Sequence, residues 1–104
     1  DAAQLGLGED GHTASLFAGD PALEARDDVA ATGEHAGYRR MTLTLPALAR
    51  SRLLLWLVTG RAKAARLRDL AAGRGDAPSL GLPRARAVIV CDAAAAAGIS
   101  LSKP

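Results

Sequence analysis

The chain has 104 residues, which allows one domain at most, and 49% of them are hydrophobic, as in soluble globular proteins. Its formal net charge is only +2, its arginines are scattered and 3% of its residues are aromatic, which argues against a nucleic-acid-binding platform. The apolar run of residues 53–60 is far too short to cross a bilayer, and the single cysteine, Cys91, excludes an internal disulfide and is typical of a reducing compartment such as the cytoplasm.

The chain opens with a predicted strand that leads into a glycine-rich turn. Residues 2–7 carry almost no charge and predict the end of a buried strand, and the turn follows over residues 6–11. We expect Gly8 and Gly11 to take positive φ and to let the backbone approach a ligand closely. Residues 13–17 can start a helix. Strand, polar turn and helix in this order form the ligand-binding crevice of open α/β sheets, outside the carboxyl ends of the strands.

The rest of the chain alternates predicted strands and helices. Apolar patterns predict strands over residues 29–32, 39–45, 53–58 and 87–91. Helical spacing, caps and breakers predict helices over residues 22–26, 47–51, 61–72 and 93–97. Residues 33–37 and 74–84 are predicted loops, and residues 99–104 a tail. The run 53–58 is apolar at every position, which indicates a central parallel strand covered on both faces. The alternation predicts an α/β fold with a mostly parallel sheet.

His12 is the candidate general base, because histidine titrates close to neutral pH and follows the turn directly. The alternative is a histidine that only bonds a loop carbonyl. Asp10 can orient His12 and stabilise its protonated form, or close an Asx turn with its own backbone, and the two roles can coexist. Ser15 lies outside any Gly-x-Ser-x-Gly pattern, so a serine hydrolase is not expected. No second ligand cluster completes a metal site, so we expect no metal.

A second candidate site lies where the strand of residues 53–58 ends. Gly60 turns the chain into the next helix, whose free N–H groups and dipole favour a phosphate. Lys63, about one turn later, can add a point charge, and the alternative is a lysine that is simply solvated. The glycine spacing differs from that of a P-loop.

Residues 6–17 read Gly-Leu-Gly-Glu-Asp-Gly-His-Thr-Ala-Ser-Leu-Phe. This stretch resembles the characteristic segment of the 6-phosphogluconolactonases, with Ala18 where the family usually has proline. Thr-Gly-x-x-Lys at residues 59–63 resembles the position of a phosphate-contacting lysine in lactonases and related sugar-phosphate isomerases. The resemblance implies that residues 1–104 are the C-terminal part of a single Rossmann-like α/β domain with flanking helices, and that the chain is a piece of a longer protein.

Arg40 begins Arg-x-Thr-Leu-Thr-Leu-Pro, which also resembles a lactonase segment. The implied role is a clamp for a phosphate or carboxylate, and the alternative is a surface arginine on an edge strand. Arg39 points the other way in a strand, so only one of the two can face the site.

The implied activity is hydrolysis of 6-phospho-D-glucono-1,5-lactone to 6-phosphogluconate in the oxidative pentose phosphate pathway, without a cofactor. Catalysis is expected from His12, which activates water, and from Asp10. The candidates for substrate and phosphate binding are Gly8, Gly11, Thr13, Arg40, Gly60 and Lys63. Backbone N–H groups of the turn at residues 8–12 are candidates for polarising the lactone carbonyl.

The expected partner is a small sugar-phosphate lactone, with no nucleic acid and no membrane, and the expected full-length state is a cytoplasmic monomer. Two alternatives stay open. One is a glucosamine-6-phosphate deaminase or a related sugar-phosphate isomerase on the same fold. The other is a non-catalytic module that binds sugar phosphates. Nucleic-acid binding is disfavoured by the scattered charge.

Overall fold

The computed structural model describes residues 1–99, which form a parallel sheet and a separate hairpin. The strands are β1 (Ala2–Leu5), β2 (Val29–His35), β3 (Tyr38–Leu43), β4 (Leu53–Val58) and β5 (Ala87–Cys91). The α-helices are α1 (Leu45–Ala49) and α2 (Ala64–Ala72), and 3-10 helices cover Pro21–Glu24, Arg61–Lys63 and Pro78–Gly81. The parallel sheet has the order β1-β4-β5, whereas β2 and β3 pair with each other in antiparallel fashion. The predicted α/β fold with a mostly parallel sheet is confirmed.

Strand β4 is the central strand of the sheet, as predicted, but only one of its faces is covered. The buried side chains are those of Leu54, Trp56 and Val58, and they share one core with Leu67 and Leu70 of α2. On the opposite face Leu53 is 37% exposed and Leu57 is 46% exposed. The expectation of cover on both faces is therefore wrong for the described chain. An unbroken apolar run shows that both faces are apolar, but it does not show what packs on each of them.

The segment of residues 13–17 was expected to start a helix, and the structure has a turn there instead. Ala14 has a φ of 51°, which a right-handed helix does not allow. The N–H of Leu16 donates to the carbonyl of Thr13 at 2.9 Å, and the Thr13 hydroxyl donates to the Gly6 carbonyl at 2.8 Å. The local hydrogen bonds of a threonine thus replace those of a helix.

Several other segments differ from expectation: the loop predicted over residues 74–84 contains the 3-10 helix Pro78–Gly81, and Leu45, predicted to end a strand, begins α1. The predicted tail lies, beyond Ile99, outside the described residues. Strand β2 continues to His35, so the loop expected over residues 33–37 shrinks to a turn at residues 36–37. Residues 93–97 form turns, although Asp92 does accept the Ala95 N–H at 2.8 Å as a cap would. Five residues are too few to form a helix without strong packing, and this segment buries only an alanine, Ala95, whereas the equally short α1 buries Leu48. Within residues 1–99, no helix has the length and hydropathy needed to span a membrane.

The turn between β2 and β3 has positive φ at both of its central residues, 53° at Ala36 and 84° at Gly37. A type I′ hairpin turn requires this combination and prefers asparagine first. We expect Ala36→Asn to raise the free energy of unfolding by up to about 1 kcal/mol, because asparagine tolerates the left-handed region better than alanine. Urea denaturation followed by circular dichroism measures the change. Ala36→Val is the matched control and should lower the stability, and an asparagine variant less stable than the parent would contradict the expectation.

Candidate active site

The loop after β1 folds into a tight turn that carries His12. The Gly8 N–H donates to the His12 carbonyl at 2.8 Å, and the Gly11 N–H donates to the Gly8 carbonyl at 2.9 Å. Gly11 has a φ of 87°, which confirms the expected positive φ, but Gly8 does not have one. Gly8 is needed for space instead, since a Cβ there would lie 2.1 Å from His12 Nδ1. The expectation of positive φ at Gly8 is therefore wrong, although its backbone does make a close approach, to the imidazole.

Asp10 makes both of the contacts that the sequence left open. Its Oδ1 accepts the His12 N–H at 3.0 Å, which closes the turn, and lies 2.6 Å from His12 Nδ1. An ionised carboxylate can only accept hydrogen bonds, so Nδ1 carries the hydrogen and, in the neutral ring, Nε2 carries the lone pair. The His12 side chain is 31% exposed, so this lone pair belongs to a partly accessible imidazole.

The electrostatics of the pair favour an ionised Asp10. Partial burial raises the pKa of this carboxyl, but the hydrogen bonds from the His12 amide and ring and the attraction of the ring outweigh burial and hold the pKa below its ordinary value. Asp10 is therefore charged near neutral pH and can stabilise an imidazolium at His12.

Lys63 and His12 line the same cavity, which has a volume of about 400 Å³. The other lining residues are Gly6, Leu7, Gly8, Thr13 and Ala14. The Lys63 ammonium donates to the Leu7 carbonyl, so its position is tied to the end of β1. A cavity of this size is within the range of small-molecule sites. The structure thus places a cation and an imidazole around one space.

Gly60 turns the chain before the 3-10 helix Arg61–Lys63, with a φ of 95°. The free N–H groups were expected from the helix that follows, and the Gly60 N–H itself donates to both carboxylate oxygens of Asp92, at 3.1 and 3.2 Å. The N–H groups of Ala95 and Gly60 hold the pKa of Asp92 below its ordinary value. The sequence predicted Asp92 only as a helix cap. Asp92 directly follows β5, which is parallel to β4, so the sequence did indicate that Asp92 could lie near Gly60 at the same edge of the sheet.

Arg40 is not among the residues that line the His12 cavity. Its Cζ lies 5.4 Å from the centroid of the Phe17 ring, and one Nη donates to the His35 carbonyl at 3.3 Å. The structure therefore brings Arg40 near His12 through Phe17 and leaves other donors of its guanidinium fork for an anion.

Phe17 and His35 were not among the candidate site residues that the sequence predicted. The Phe17 ring stacks on His12 with centroids 4.5 Å apart and on His35 with centroids 4.0 Å apart. Nε2 of His35 lies 2.6 Å from Oδ2 of the buried Asp20. No regular spacing links these residues, so no pattern in the sequence could have grouped them. In the part of the chain that the structure describes, no group of three or more His, Cys, Asp or Glu side chains could hold a metal ion.

The space at Gly8 can be tested with a matched pair of variants. In Gly8→Ala the new Cβ would lie 2.1 Å from Nδ1 and 2.2 Å from Cε1 of His12, so the ring must leave Asp10. We expect loss of the Nδ1 hydrogen bond, seen in the ¹⁵N spectrum of His12, and destabilisation by about 1–3 kcal/mol. Gly6→Ala is the control, since nothing lies within 4 Å of its Cβ position. Unchanged His12 signals in Gly8→Ala would refute this account of the turn.

Asp20 should contribute to the acid stability of the chain. The Ala22 amide, the His35 ring and the Gly33 amide lower its pKa against the opposing effect of burial. A carboxyl whose pKa is lowered by folding stabilises the fold above its unfolded pKa of about 3.9, and this stabilisation is lost as pH falls below that value. We therefore expect Asp20→Asn to be less stable than the parent at pH 7 and the gap to shrink in titrations below about pH 4. A gap that stays constant with pH would contradict the expectation.

Comparison with known proteins identifies the family. A family model described as glucosamine-6-phosphate isomerases/6-phosphogluconolactonase matches residues 1–91. A 6-phosphogluconolactonase of Synechocystis sp. is 43% identical over 72 residues, which are 69% of this chain and 30% of that protein. A 6-phosphogluconolactonase of Nostoc sp. is 34% identical over 105 aligned positions, which cover 97% of this chain and 44% of that protein.

A solved structure agrees with the sequence matches. The 6-phosphogluconolactonase from Trypanosoma cruzi superposes with a TM-score of 0.81 and 27% identity, over 97% of this chain and 42% of that one. The chain thus spans less than half the length of each of these relatives. The family resemblance of residues 6–17 is confirmed, and the chain belongs to the glucosamine-6-phosphate isomerase/6-phosphogluconolactonase family.

Proposed function

We propose that this chain supplies the general base and a phosphate-binding cation for hydrolysis of 6-phospho-D-glucono-1,5-lactone. The observation that carries the proposal is the Asp10–His12 pair on a cavity that Lys63 also lines. The lactonase names of the relatives at 43% and 34% identity support this substrate.

The tautomer of His12 decides which ring nitrogen accepts the proton from water. Nε2 takes a proton from water while the water oxygen bonds to the lactone carbonyl carbon. The ring ester bond then breaks, and the imidazolium returns the proton to the leaving alkoxide, so that the products are a carboxylic acid and a hydroxyl group. The acid then releases its proton to solvent and leaves as the carboxylate. Asp10 keeps the ring in the Nδ1–H form and offsets the positive charge that develops on it.

Lys63 is the group that we assign to the 6-phosphate, since its ammonium is a point charge within the cavity. Arg40 is the second candidate, and its remaining donors suit a phosphate or carboxylate. Gly60 contributes through its turn rather than through its N–H, because Asp92 holds that group. Binding of the phosphate away from the ester bond would position the carbonyl for attack.

The turn at residues 8–12 uses three of its own N–H groups to hold its shape. The N–H groups of Gly8, Gly11 and His12 all have partners inside the turn, so they offer no free donors for the lactone carbonyl. Thr13 is 1% exposed and its hydroxyl donates to the Gly6 carbonyl, which makes it a wall of the cavity. Gly8 and Gly11 therefore serve substrate binding by allowing this compact backbone.

The proposal can be tested in a hybrid enzyme in which this chain replaces the matching 44% of the Nostoc lactonase. We expect the hybrid to hydrolyse the lactone and His12→Gln to lower kcat by about 10²–10⁴-fold, because the general base is lost. The rate is measured by coupling to oxidation of 6-phosphogluconate, with spontaneous hydrolysis subtracted.

Two controls separate the alternatives. Ser15→Ala should keep the rate, since no serine nucleophile is proposed. Glucosamine 6-phosphate, as the second substrate, tests the deaminase alternative. A folded hybrid that deaminates this compound without hydrolysing the lactone, or one whose rate is unaffected by His12→Gln, would overturn the proposal.

A further inference from the structure

We propose that Asp20 and His35 form a second Asp–His pair that positions the His12 ring through Phe17. The inference rests on the proposed function only in treating His12 as the reacting base. The geometry that supports it is independent of the substrate, because it consists of contacts within the chain.

The pair begins with a carboxylate that cannot move freely. The Asp20 side chain is 2% exposed, and its Oδ1 accepts the Ala22 N–H at 2.8 Å. Its Oδ2 accepts the Gly33 N–H at 2.9 Å and the His35 Nε2–H at 2.6 Å. Asp20 thus joins the 3-10 helix Pro21–Glu24 to the irregular part of β2, where the pairing with β3 shifts between Ala31 and Glu34.

His35 is consequently fixed in the tautomer opposite to that of His12. Asp20 accepts at Nε2, so the neutral His35 ring carries its lone pair on Nδ1, whereas His12 carries its lone pair on Nε2. The backbone of His35 is held as well, because Arg40 donates to the His35 carbonyl at 3.3 Å. The ring is 26% exposed, so it is a partly covered platform with a set orientation.

Phe17 transmits this orientation to His12. Its ring is inclined by 20° to His35 and by 28° to His12, at centroid separations of 4.0 and 4.5 Å. Phe17 follows a turn, and its carbonyl accepts the Asp20 N–H at 3.1 Å, so stacking on the two imidazoles adds to the backbone hydrogen bonds that hold this residue. We call the set His12, Phe17 and His35 the ring stack. One end of the stack is held by Asp10 and the other by Asp20.

A pair that positions His12 and a pair that only stabilises the fold should respond differently to substitution of His35. If the contact between Asp20 and His35 only stabilised the fold, its loss would lower the free energy of unfolding and leave the His12 ring of the folded chain in place. A positioning pair alters the ring of His12 in the folded state. The stacked ring on His12 limits its rotation about χ2, and that rotation decides where Nε2 points relative to the Asp10 carboxylate.

The test uses NMR of the 104-residue chain. His35→Ala removes the ring and its hydrogen bond to Asp20, and His35→Phe keeps a stacking ring without a donor for Asp20. We expect His35→Ala to shift the His12 ring protons, through lost restraint of Phe17, and to weaken the ¹⁵N signature of the Nδ1–H···Asp10 bond. His35→Phe should produce a smaller change of the same sign. Glu34→Ala, on the exposed neighbour, should leave His12 unchanged.

A second variant keeps the test decisive if His35→Ala does not fold. In Phe17→Leu the intermediate ring is absent, so adding His35→Phe should cause no further change at His12, whereas the same substitution in the parent does. Equal effects of His35→Phe in both backgrounds, or His12 signals unaffected by any substitution at His35, would overturn the inference.

Kinetics of the hybrid enzyme separate this inference from the proposed function. We expect His35→Ala to lower kcat by roughly 10- to 100-fold with little change in KM, because the base is misplaced while Lys63 still holds the phosphate. Coupling in the NMR test without any lactone hydrolysis would refute the proposed function and leave the ring stack intact. Activity that depends on His12 but not on His35 would refute the inference alone.

Discussion

The absence of a side chain at Gly8 is the constraint on which the site depends. A methyl group there would overlap the imidazole of His12, so only glycine allows the turn and the ring to occupy adjoining space. The turn can then close on itself with the hydrogen bonds of Gly8 and Gly11, and Asp10 meets both the amide and the ring of His12. The tautomer of the base, and therefore the atom that takes the proton, follows from this packing.

Much of the fold could be predicted because local patterns of apolar residues and glycines determine it. The unbroken apolar run of β4 and the shorter one of β5 identified strands of the parallel sheet, and Gly73 ended α2 in the left-handed conformation expected of a helix-ending glycine. Local patterns failed where a side chain competes with the backbone. Thr13 diverts its segment from a helix, and Asp20 binds the amide of Gly33 inside what looked like a loop.

In the candidate site too, contacts between residues close in sequence could be predicted and contacts between distant residues could not. Asp10 and His12 are two positions apart, so their pairing could be proposed from spacing alone. The contact of Lys63 with Leu7 spans 56 positions and that of Gly60 with Asp92 spans 32, and such contacts depend on how strands stack side by side. The residues were therefore identifiable, whereas the role of the Gly60 amide was not. Phe17 and His35 had no pattern at all, since aromatic stacking has no sequence period.

The burial of one face of β4 makes the tryptophan on that face an intrinsic fluorescent probe of folding. Trp56 is the only tryptophan and is 1% exposed, on the covered face of the central strand. Its indole is surrounded by apolar core in the folded chain and would be surrounded by water once the sheet separates. The wavelength of its fluorescence emission therefore reports on the parallel sheet. Because Trp56 is not a member of the ring stack, its fluorescence can follow the sheet while NMR follows the imidazoles in the same sample.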